Sequence, residues 1–314
     1  MNRREFIASC AAAASAAALP GCASRPRREG CLSRYTPSGG LRVRCDGLEH
    51  PLRVWQVSDS HLNLRDSRDD EYKDFYARMG GEWNPKLTAR EAFERILDDA
   101  REKRPDLLLV TGDLISFPTL KNVEFAVERL DACGVPWLYT AGNHDWHFEG
   151  DEGSDAEQRA RWIEKRLLPL YKGEDPMAYA KTVGGVRFLM IDNSTYNVDE
   201  RQLEFFRAES AKGGPCVLAM HIPLWHHGWG AYACGSPDWC TAADKNWQIE
   251  RRQPWSERQD ESTFEFRRAV DEADSLLAVL AGHYHRLEMV LDSGLLHATA
   301  PLAAVGEVLK VTIG

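Results

Sequence analysis

Five short apolar runs stand out along the chain, and each of them ends at a polar motif. They cover residues 52–57, 107–110, 135–138, 216–220 and 276–281. Continuous apolar runs of about four to eight residues are typical of strands that are buried on both faces. Ligands of open α/β sheets bind beyond the carboxyl ends of such strands, so the polar motifs that follow these runs are candidates for a functional site.

Helical periodicity lies between and after these runs. The segment 86–103 has the spacing of a helix that packs one face against a sheet, and that face carries Ala89, Ala92, Phe93, Ile96, Leu97 and Ala100. The same periodicity predicts helices at 123–130, 156–168, 201–211 and 264–273.

Further strands complete the pattern. A Gly184-Gly185 turn predicts a hairpin between 178–183 and 186–191. A first edge strand at 41–45 is expected to pair with 52–57, and strands at 287–291, 295–298 and 308–313 close the chain. This alternation of strands and helices predicts an α/β fold with two packed sheets flanked by helices.

The polar motifs after the five apolar runs contain the residue types that bind metals. They are Asp59-Ser60-His61, Gly112-Asp113, Gly142-Asn143-His144-Asp145, Met220-His221 and Gly282-His283-Tyr284-His285. Imidazole, carboxylate and amide oxygen together suit borderline-to-hard divalent metals. Most of these motifs are weak alone, since Asp-x-His is usually a loop and a single histidine is often a core residue, whereas Gly142-Asn143-His144-Asp145 is fairly specific by itself. Their joint occurrence, each after a predicted strand, favours a metal site.

The spacing within the motifs agrees with this chemistry. Side chains alternate along a strand, so Asp59 and His61 can face the same metal while Ser60 points away. The glycines before Asp113, Asn143 and His283 allow sharp turns and close approach of the backbone. A carboxylate such as Asp113 can bridge two cations, and two metals about 3.5–4 Å apart can clamp the attacking and leaving oxygens of a displacement at phosphorus.

The ordered motifs resemble those of the calcineurin-like metallophosphoesterases, which run D-x-H, G-D, G-N-H-[DE], H, G-H-x-H. The resemblance implies a four-layer α-β-β-α sandwich of two mixed sheets and two divalent metal ions, such as manganese, iron or zinc. It implies that the first metal is held by Asp59, His61 and His285, that Asp113 bridges, and that the second metal is held by Asn143, His221 and His283. The tyrosine typical of purple acid phosphatases is absent near Gly112-Asp113, which argues against a tyrosinate-bound iron(III) site.

The resemblance also implies catalytic roles and an activity. His144 would contact the phosphoryl oxygens or the leaving group, and Asp145 would orient the ring of His144. The expected reaction is hydrolysis of a phosphoester by metal-bound hydroxide. Two alternatives stay open: a protein of this fold that binds without catalysis, and a nuclease of the same superfamily.

The charge of the chain bears on its partners. The net charge is −9 for 314 residues, and no basic cluster lies near the motifs. An acidic protein disfavours electrostatic capture of duplex nucleic acid. The expected partner is therefore a small phosphorylated substrate, and no nucleic acid is expected.

The N-terminal segment 1–22 has the features of an export signal. Arg3-Arg4 followed by a short alanine-rich run resembles a twin-arginine signal, and Cys22 stands where a lipoprotein would be lipidated. Lipidation at Cys22 and a soluble periplasmic protein are both left open, and contact with a membrane is expected only through that anchor. Residues 23–50 would form a linker and edge strand, and 51–314 the metallophosphoesterase domain.

A tryptophan-rich insertion is predicted at 225–262. Trp225 and Trp229 follow His221 closely, so this segment either forms a wall for the substrate or packs onto the body of the domain. In an oxidising compartment two disulfides, Cys31–Cys45 and Cys234–Cys240, would be candidates. A zinc site built from Cys234, Cys240, His226 and His227 is an alternative use of the second pair.

Overall fold

The computed structural model describes residues 34–35 (backbone only), 40–73, 84, 86–148, 150–227, 229, 233–243, 255–292 and 294–314. The predicted signal at 1–22, most of the predicted linker, and Cys31 lie outside these residues. Within the described parts of the chain, no helix has both the length and the apolar content needed to cross a bilayer.

Twelve strands are present in these regions. In chain order they are β1 (Arg34–Tyr35), β2 (Gly40–Val43), β3 (Leu52–Val57), β4 (Leu107–Thr111), β5 (Trp137–Thr140), β6 (Ala178–Val183), β7 (Val186–Ile191), β8 (Cys216–Ala219), β9 (Leu276–Ala281), β10 (Met289–Asp292), β11 (Leu295–Thr299) and β12 (Leu309–Ile313).

The strands form two six-stranded mixed sheets. The first has the order β1-β2-β12-β3-β4-β5, and the second has the order β10-β11-β9-β8-β7-β6. Strands β3, β4 and β5 are parallel to one another, as are β7, β8, β9 and β11. The predicted hairpin is confirmed, since β6 and β7 are antiparallel with Val183 opposite Val186.

Helices cover the sheets, as the periodicity predicts. They are α1 (Ala89–Lys103), α2 (Leu120–Cys133), α3 (Asp155–Trp162), α4 (Leu168–Tyr171), α5 (Glu200–Ala211) and α6 (Glu261–Glu272). All six apolar residues predicted for the face of α1 are buried. This helix begins at a capping box in which Thr88 and Glu91 bond each other's backbone N–H groups. The prediction of two sheets flanked by helices is confirmed.

Two expectations about these elements are wrong. The strand at 41–45 does not pair with β3, because β12 lies between them, parallel to β2 and antiparallel to β3. The expectation followed sequence proximity, whereas the apolar C-terminal strand competes for the same edge. The helix predicted at 156–168 is also interrupted by a π-helical turn at Ile163–Leu167. Pro169 follows, and its missing N–H breaks the regular hydrogen-bond ladder.

The ends of five parallel strands define the site. Strands β3, β4 and β5 in the first sheet and β8 and β9 in the second each lead into one of the polar motifs. Strand β4 is buried along its whole length and β8 likewise, so the loops that follow them start from fixed positions in the core.

Candidate metal centre

The ligand candidates lie in loops with unusual backbone geometry. Left-handed φ angles occur at five of them, with values of 59° at Asp59, 46° at His61, 48° at Asp113, 71° at His283 and 55° at His285. The argument from strand alternation for Asp59 and His61 is therefore wrong in mechanism, because β3 already ends at Val57. Their side chains converge because both residues turn left-handed. Non-glycine residues rarely adopt this conformation, and it is concentrated at functional sites.

The structure brings six of the predicted ligands into two clusters. Within each cluster, every residue offers one ligand atom within 4.8 Å of the others. The first comprises Asp59, His61, Asp113 and His285, and the second comprises Asp113, His221 and His283. Asp113 belongs to both clusters, which is the position of a bridging carboxylate.

The second cluster also includes the amide of Asn143. Its Oδ1 lies 3.1 Å from Nε2 of His221, and Oδ2 of Asp113 lies 3.2 Å from the same nitrogen. Nδ1 of His221 lies 2.8 Å from the backbone carbonyl oxygen of Thr111. An N–H at Nδ1 donates to this carbonyl, so Nε2 is the nitrogen presented to the cluster.

The first cluster brings electron-rich atoms together in a way that fits a cation. Nε2 of His61 and Nε2 of His285 are 3.1 Å apart. Nε2 of His285 is also 3.3 Å from Oδ1 of Asp59. Because His61, Asp59 and Asp113 are buried, solvent does little to stabilise their lone pairs and charges. The donor set of nitrogen and carboxylate oxygen fits a borderline-to-hard divalent ion at this point.

The electrostatics of the site favour the metal-binding forms of His61 and Asp113 but a protonated His221. Burial lowers the pKa of His61 to about 3, so its imidazole is neutral and able to coordinate. Burial would raise the pKa of Asp113, but the adjacent imidazoles of His221, His144 and His61 hold it well below its ordinary value. Burial likewise opposes protonation of His221, yet the charge of Asp113 raises the pKa of His221 to about 9. A metal bound here would replace that proton.

The glycines of the motifs are needed for two different reasons. Gly112 has φ of +81°, so its turn requires a left-handed residue. Gly142 and Gly282 do not adopt positive φ; they are needed because other groups approach them closely. A Cβ on Gly142 would lie 2.2 Å from Oδ1 of Asp113, and one on Gly282 would lie 1.9 Å from Oγ of Ser58.

His144 lies at the edge of the first cluster. Its backbone N–H donates to Oδ1 of Asp113 at 2.8 Å, and its half-buried ring stands edge-on to His61 with centroids 4.9 Å apart. The side chain of His144 thus faces the centre without belonging to either ligand cluster.

The carboxylate of Asp145 contacts backbone groups of the neighbouring loops. Both of its carboxylate oxygens accept backbone N–H groups, from Ile115 at 2.9 Å and from Gly142 at 2.7 Å. Burial and then the charge of Asp113 raise the pKa of Asp145 to about 7. Its contacts fix the loop that carries Asn143 and His144, and the structure gives no bond from it to the ring of His144.

A sequence model of the calcineurin-like phosphoesterases matches residues 52–287, which include all seven predicted ligands. The chain belongs to this family. The two clusters around Asp113 can hold the two metal ions on which the family depends.

Individual relatives are more distant. The chain is 27% identical over 185 residues to the DNA double-strand break repair protein Mre11 of Aeropyrum pernix, covering 55% of this chain and 42% of the relative. It is 28% identical over 96 residues to a probable cyclic nucleotide phosphodiesterase of Moraxella catarrhalis, covering 31% of this chain and 28% of the relative. The phosphoesterase chain therefore spans less than half the length of these curated relatives.

A solved structure shares the fold. A dimetal phosphatase from Danio rerio superposes with a TM-score of 0.51 at 15% identity, covering 81% of this chain and 88% of that one. This likeness supports the four-layer arrangement of the phosphoesterase.

A sixth polar segment supports the centre and was not predicted. Asp192, Asn193 and Ser194 follow β7, and all three are buried. Oδ1 of Asn193 accepts the backbone N–H groups of His221 and Ile222 at 3.2 and 3.0 Å. Oγ of Ser194 accepts Nε1–H of Trp146 at 2.7 Å. The signal was present in the sequence, because this segment also follows an apolar run directly.

In the described part of the tryptophan-rich insertion, Trp225 and Trp229 differ in how close they lie to the metal-binding motifs. The ring of Trp229 packs against His226 and against Tyr284 of the last motif, with centroid distances of 5.2 and 5.6 Å. The ring of Trp225 instead lies under the guanidinium of Arg267, 4.9 Å from it, on α6. Trp229 is thus the closer of the two to a metal-binding motif.

Of the two cysteine pairs expected from the sequence, Cys234–Cys240 is not formed, and Cys31 of the other pair lies outside the described residues. Cys234 is a buried free thiol, so no disulfide joins it to Cys240, and Cys45 is also free. Burial raises the pKa of Cys234 to about 12, which disfavours the thiolate that a zinc ligand requires. Of the residues that the structure describes, only the two clusters around Asp113 group ligands for a metal, and the zinc alternative is not among them.

Proposed function

We propose that this protein hydrolyses phosphoester bonds at a centre of two divalent metal ions. The observation that carries the proposal is the sharing of Asp113 between two ligand clusters. Asp59, His61 and His285 hold the first ion with Asp113, and Asn143, His221 and His283 hold the second ion with it. The proposal includes all seven predicted ligands in the roles that the family resemblance implies.

The residues around the centre divide the remaining tasks. When bound, two such ions polarise the phosphoryl oxygens and activate water for attack on phosphorus. His144 presents its imidazole at the half-buried rim, where it hydrogen-bonds a phosphoryl oxygen or protonates the departing oxygen. Asp145 contributes by holding the loop, since its oxygens fix the amides of Gly142 and Ile115.

Removal of the bridge tests this function. Asp113→Ala should lose both bound metal, measured by elemental analysis, and hydrolysis of 4-nitrophenyl phosphate and bis(4-nitrophenyl) phosphate. Asp98→Ala, an exposed position on α1, should keep both. Wild-type protein that holds fewer than two ions after reconstitution, yet is fully active, would contradict the two-metal centre.

The substrate proposed is a small phosphorylated molecule whose remainder contacts Trp229 and, further out, Trp225. Aromatic rings give large rigid contact area at a binding site. Trp229 packs against Tyr284, which stands between the two histidines of the last motif, and this contact supports the proposal.

A nuclease is the second candidate, and the similarity to Mre11 is the observation that favours it. The net charge of −9 opposes capture of duplex DNA, although metal ions can attract a phosphate locally. Hydrolysis of a single-stranded oligonucleotide at a kcat/KM above that of both nitrophenyl esters would favour the nuclease. Slower or undetectable cleavage would favour the small substrate.

We further propose that residues 1–22 direct export by the twin-arginine route, to the periplasm or to a lipid anchor at Cys22. The paired Arg3 and Arg4 and the alanine-rich run support it. Changing both arginines to lysine should leave uncleaved precursor in the cytoplasm. In exported protein, Cys22→Ala should abolish membrane association if Cys22 is lipidated and should leave fractionation unchanged if it is not. Normal export of the double-lysine protein would exclude this route.

A further inference from the structure

Tyr196 contacts the metal centre from a position that sequence motifs do not include. It follows the polar segment after β7, its side chain is completely buried, and its backbone adopts a left-handed φ of 62°. Its hydroxyl lies 3.1 Å from Nε2 of His283, and the two rings meet at 78° with centroids 5.5 Å apart. A bulky residue rarely takes such a backbone conformation unless the surrounding structure requires it.

Packing from the tryptophan-rich insertion holds Tyr196 in this orientation. Trp239 lies against its ring with centroids 4.4 Å apart, and Trp255 meets it edge-on at 5.5 Å. Nε2–H of Gln259 donates to the backbone oxygen of Tyr196 at 3.0 Å. The tyrosine is therefore fixed by the insertion on one side and touches a metal ligand on the other.

His283 is held at two points. Its backbone N–H donates to the carboxylate of Asp59 at 3.0–3.1 Å, which places the residue but does not set its side-chain torsion. Because Nε2 lies at the hydroxyl of Tyr196, we assign Nδ1 as the nitrogen that His283 offers to the second cluster. With a metal on Nδ1, Nε2 carries the proton and donates it to the tyrosine oxygen.

We propose that Tyr196 is a positioning residue for the second metal, fixing the ring and tautomer of His283 through its hydroxyl. The inference rests on the proposed assignment of His283 to that metal. Asn193, three residues earlier, accepts the backbone N–H of His221, the other histidine of the second cluster. The loop that carries Asn193 and Tyr196 thus contacts both histidines of the second cluster. Loss of these contacts should therefore weaken binding of the second ion more than binding of the first.

Stepwise metal binding tests the proposal. Metal-free protein would be titrated with Mn²⁺ by calorimetry, with the electron paramagnetic resonance signal of the coupled manganese pair as an independent readout. Tyr196→Phe keeps the ring and removes the hydroxyl. We expect it to weaken binding of the second ion by about 10–100-fold, to diminish the coupled signal, and to leave the first ion and the melting temperature of the metal-free protein near wild type.

Tyr171→Phe is the matched control. It also removes a buried tyrosine hydroxyl, but one that makes no hydrogen bond in the structure, and it should leave both ions unaffected. If Tyr196→Phe fails to fold, Trp239→Leu should show the same selective loss, because it keeps the hydroxyl but removes the ring that orients Tyr196.

Several outcomes would overturn the inference, and they differ from failure of the proposed function. Unchanged affinity for the second ion, or equal loss of both ions, would exclude a selective positioning role. After reconstitution with iron(III), a tyrosinate charge-transfer band that disappears in Tyr196→Phe would identify Tyr196 as a ligand instead. A wild-type protein that never binds two ions would refute the two-metal function itself.

Discussion

At the scale of single residues, the site depends on backbone conformations that non-glycine residues rarely adopt. Left-handed conformations at non-glycine residues are unfavourable by about 1–3 kcal/mol each, and five ligands share this feature. Backbone bonds between the loops hold them there. The amide of Asp59 donates to the oxygen of Gly112 at 3.0 Å, and that of His61 donates to the oxygen of Asp113 at 2.9 Å. Neighbouring motifs thus enforce one another's conformation.

The close approach at Gly282 gives a residue-scale prediction. In Gly282→Ala the new methyl group would meet Oγ of Ser58 and lie 2.8 Å from Oδ2 of Asp59, so Asp59 must shift. We expect the affinity for the first metal to fall by about tenfold or more, measured by titration of metal-free protein.

Gly134→Ala is the control for this change. Gly134 ends α2 with φ of +73° and has open space around its Cα, so alanine there should lower stability by about 1 kcal/mol and leave metal binding intact. Equal metal affinity in Gly282→Ala and wild type would show that the loop can relax around a methyl group.

His144 provides a second prediction, which separates chemistry from metal binding. His144→Ala keeps the backbone N–H that bonds Asp113 and removes only the ring. Both metals should stay bound, while turnover of 4-nitrophenyl esters should fall by about 10²–10⁴-fold because a proton donor to the leaving oxygen is lost. Loss of metal in this variant would instead place His144 among the ligands.

At the scale of elements, strand bounds and buried helix faces could be predicted from the sequence, because local interactions determine them. The apolar runs gave β3 and β9 with their observed bounds, and the periodicity of 86–103 gave the buried face of α1 residue by residue. The ligands could be predicted because each follows a strand directly. The insertion of β12 between β2 and β3 could not, since strand order depends on competition between distant segments.

Tyr196 and Asp145 illustrate a second limit. The contact of Tyr196 with His283 joins residues 87 positions apart, and no spacing rule connects them. Asp145 stands beside His144 in sequence, which suggested that it orients that ring, but its oxygens face the amides of Gly142 and Ile115. Neighbours in a tight turn commonly point apart, so adjacency predicts membership of a site better than it predicts partners.

The insertion makes an element-scale prediction, because its tryptophans have different surroundings. Trp229→Ala should raise KM for the natural substrate by about tenfold or more and change turnover of 4-nitrophenyl phosphate little, since that small ester requires mainly the metals. Trp225→Ala should have a smaller effect on KM, because Trp225 packs on Arg267.

Trp239→Ala is the contrasting variant. Trp239 is buried against Tyr196, so its loss should lower the free energy of unfolding by about 3–5 kcal/mol. Chemical denaturation measures this difference. A comparable loss of stability in Trp229→Ala, with equal kinetic defects on both substrates, would mean that Trp229 also serves packing and not the substrate.

At the scale of the whole molecule, the centre joins the two sheets. The proposed ligands of the first ion are Asp59, His61 and Asp113, which follow strands of the first sheet, and His285, which follows β9 of the second. The proposed ligands of the second ion likewise combine Asp113 and Asn143, from the first sheet, with His221 and His283, from the second. Each ion would therefore be held by residues of both sheets, and metal binding would link the two halves of the fold.

Metal removal should therefore weaken the fold as well as the activity. An ion that binds only the folded state stabilises it by about 2.7 kcal/mol when its free concentration is a hundred times its Kd. For a domain of this size, that corresponds to a melting temperature about 5–10 °C lower after chelation. Hydrogen exchange should increase most at the carboxyl ends of β3, β4, β8 and β9, where the proposed ligands of the ions lie.

Asp113→Ala provides the internal control, because a protein without its bridging ligand should melt near the metal-free wild type and respond little to chelator. If chelation lowers the melting temperatures of both proteins equally, the effect lies outside the centre. If it changes neither, the two sheets are held by their apolar core alone.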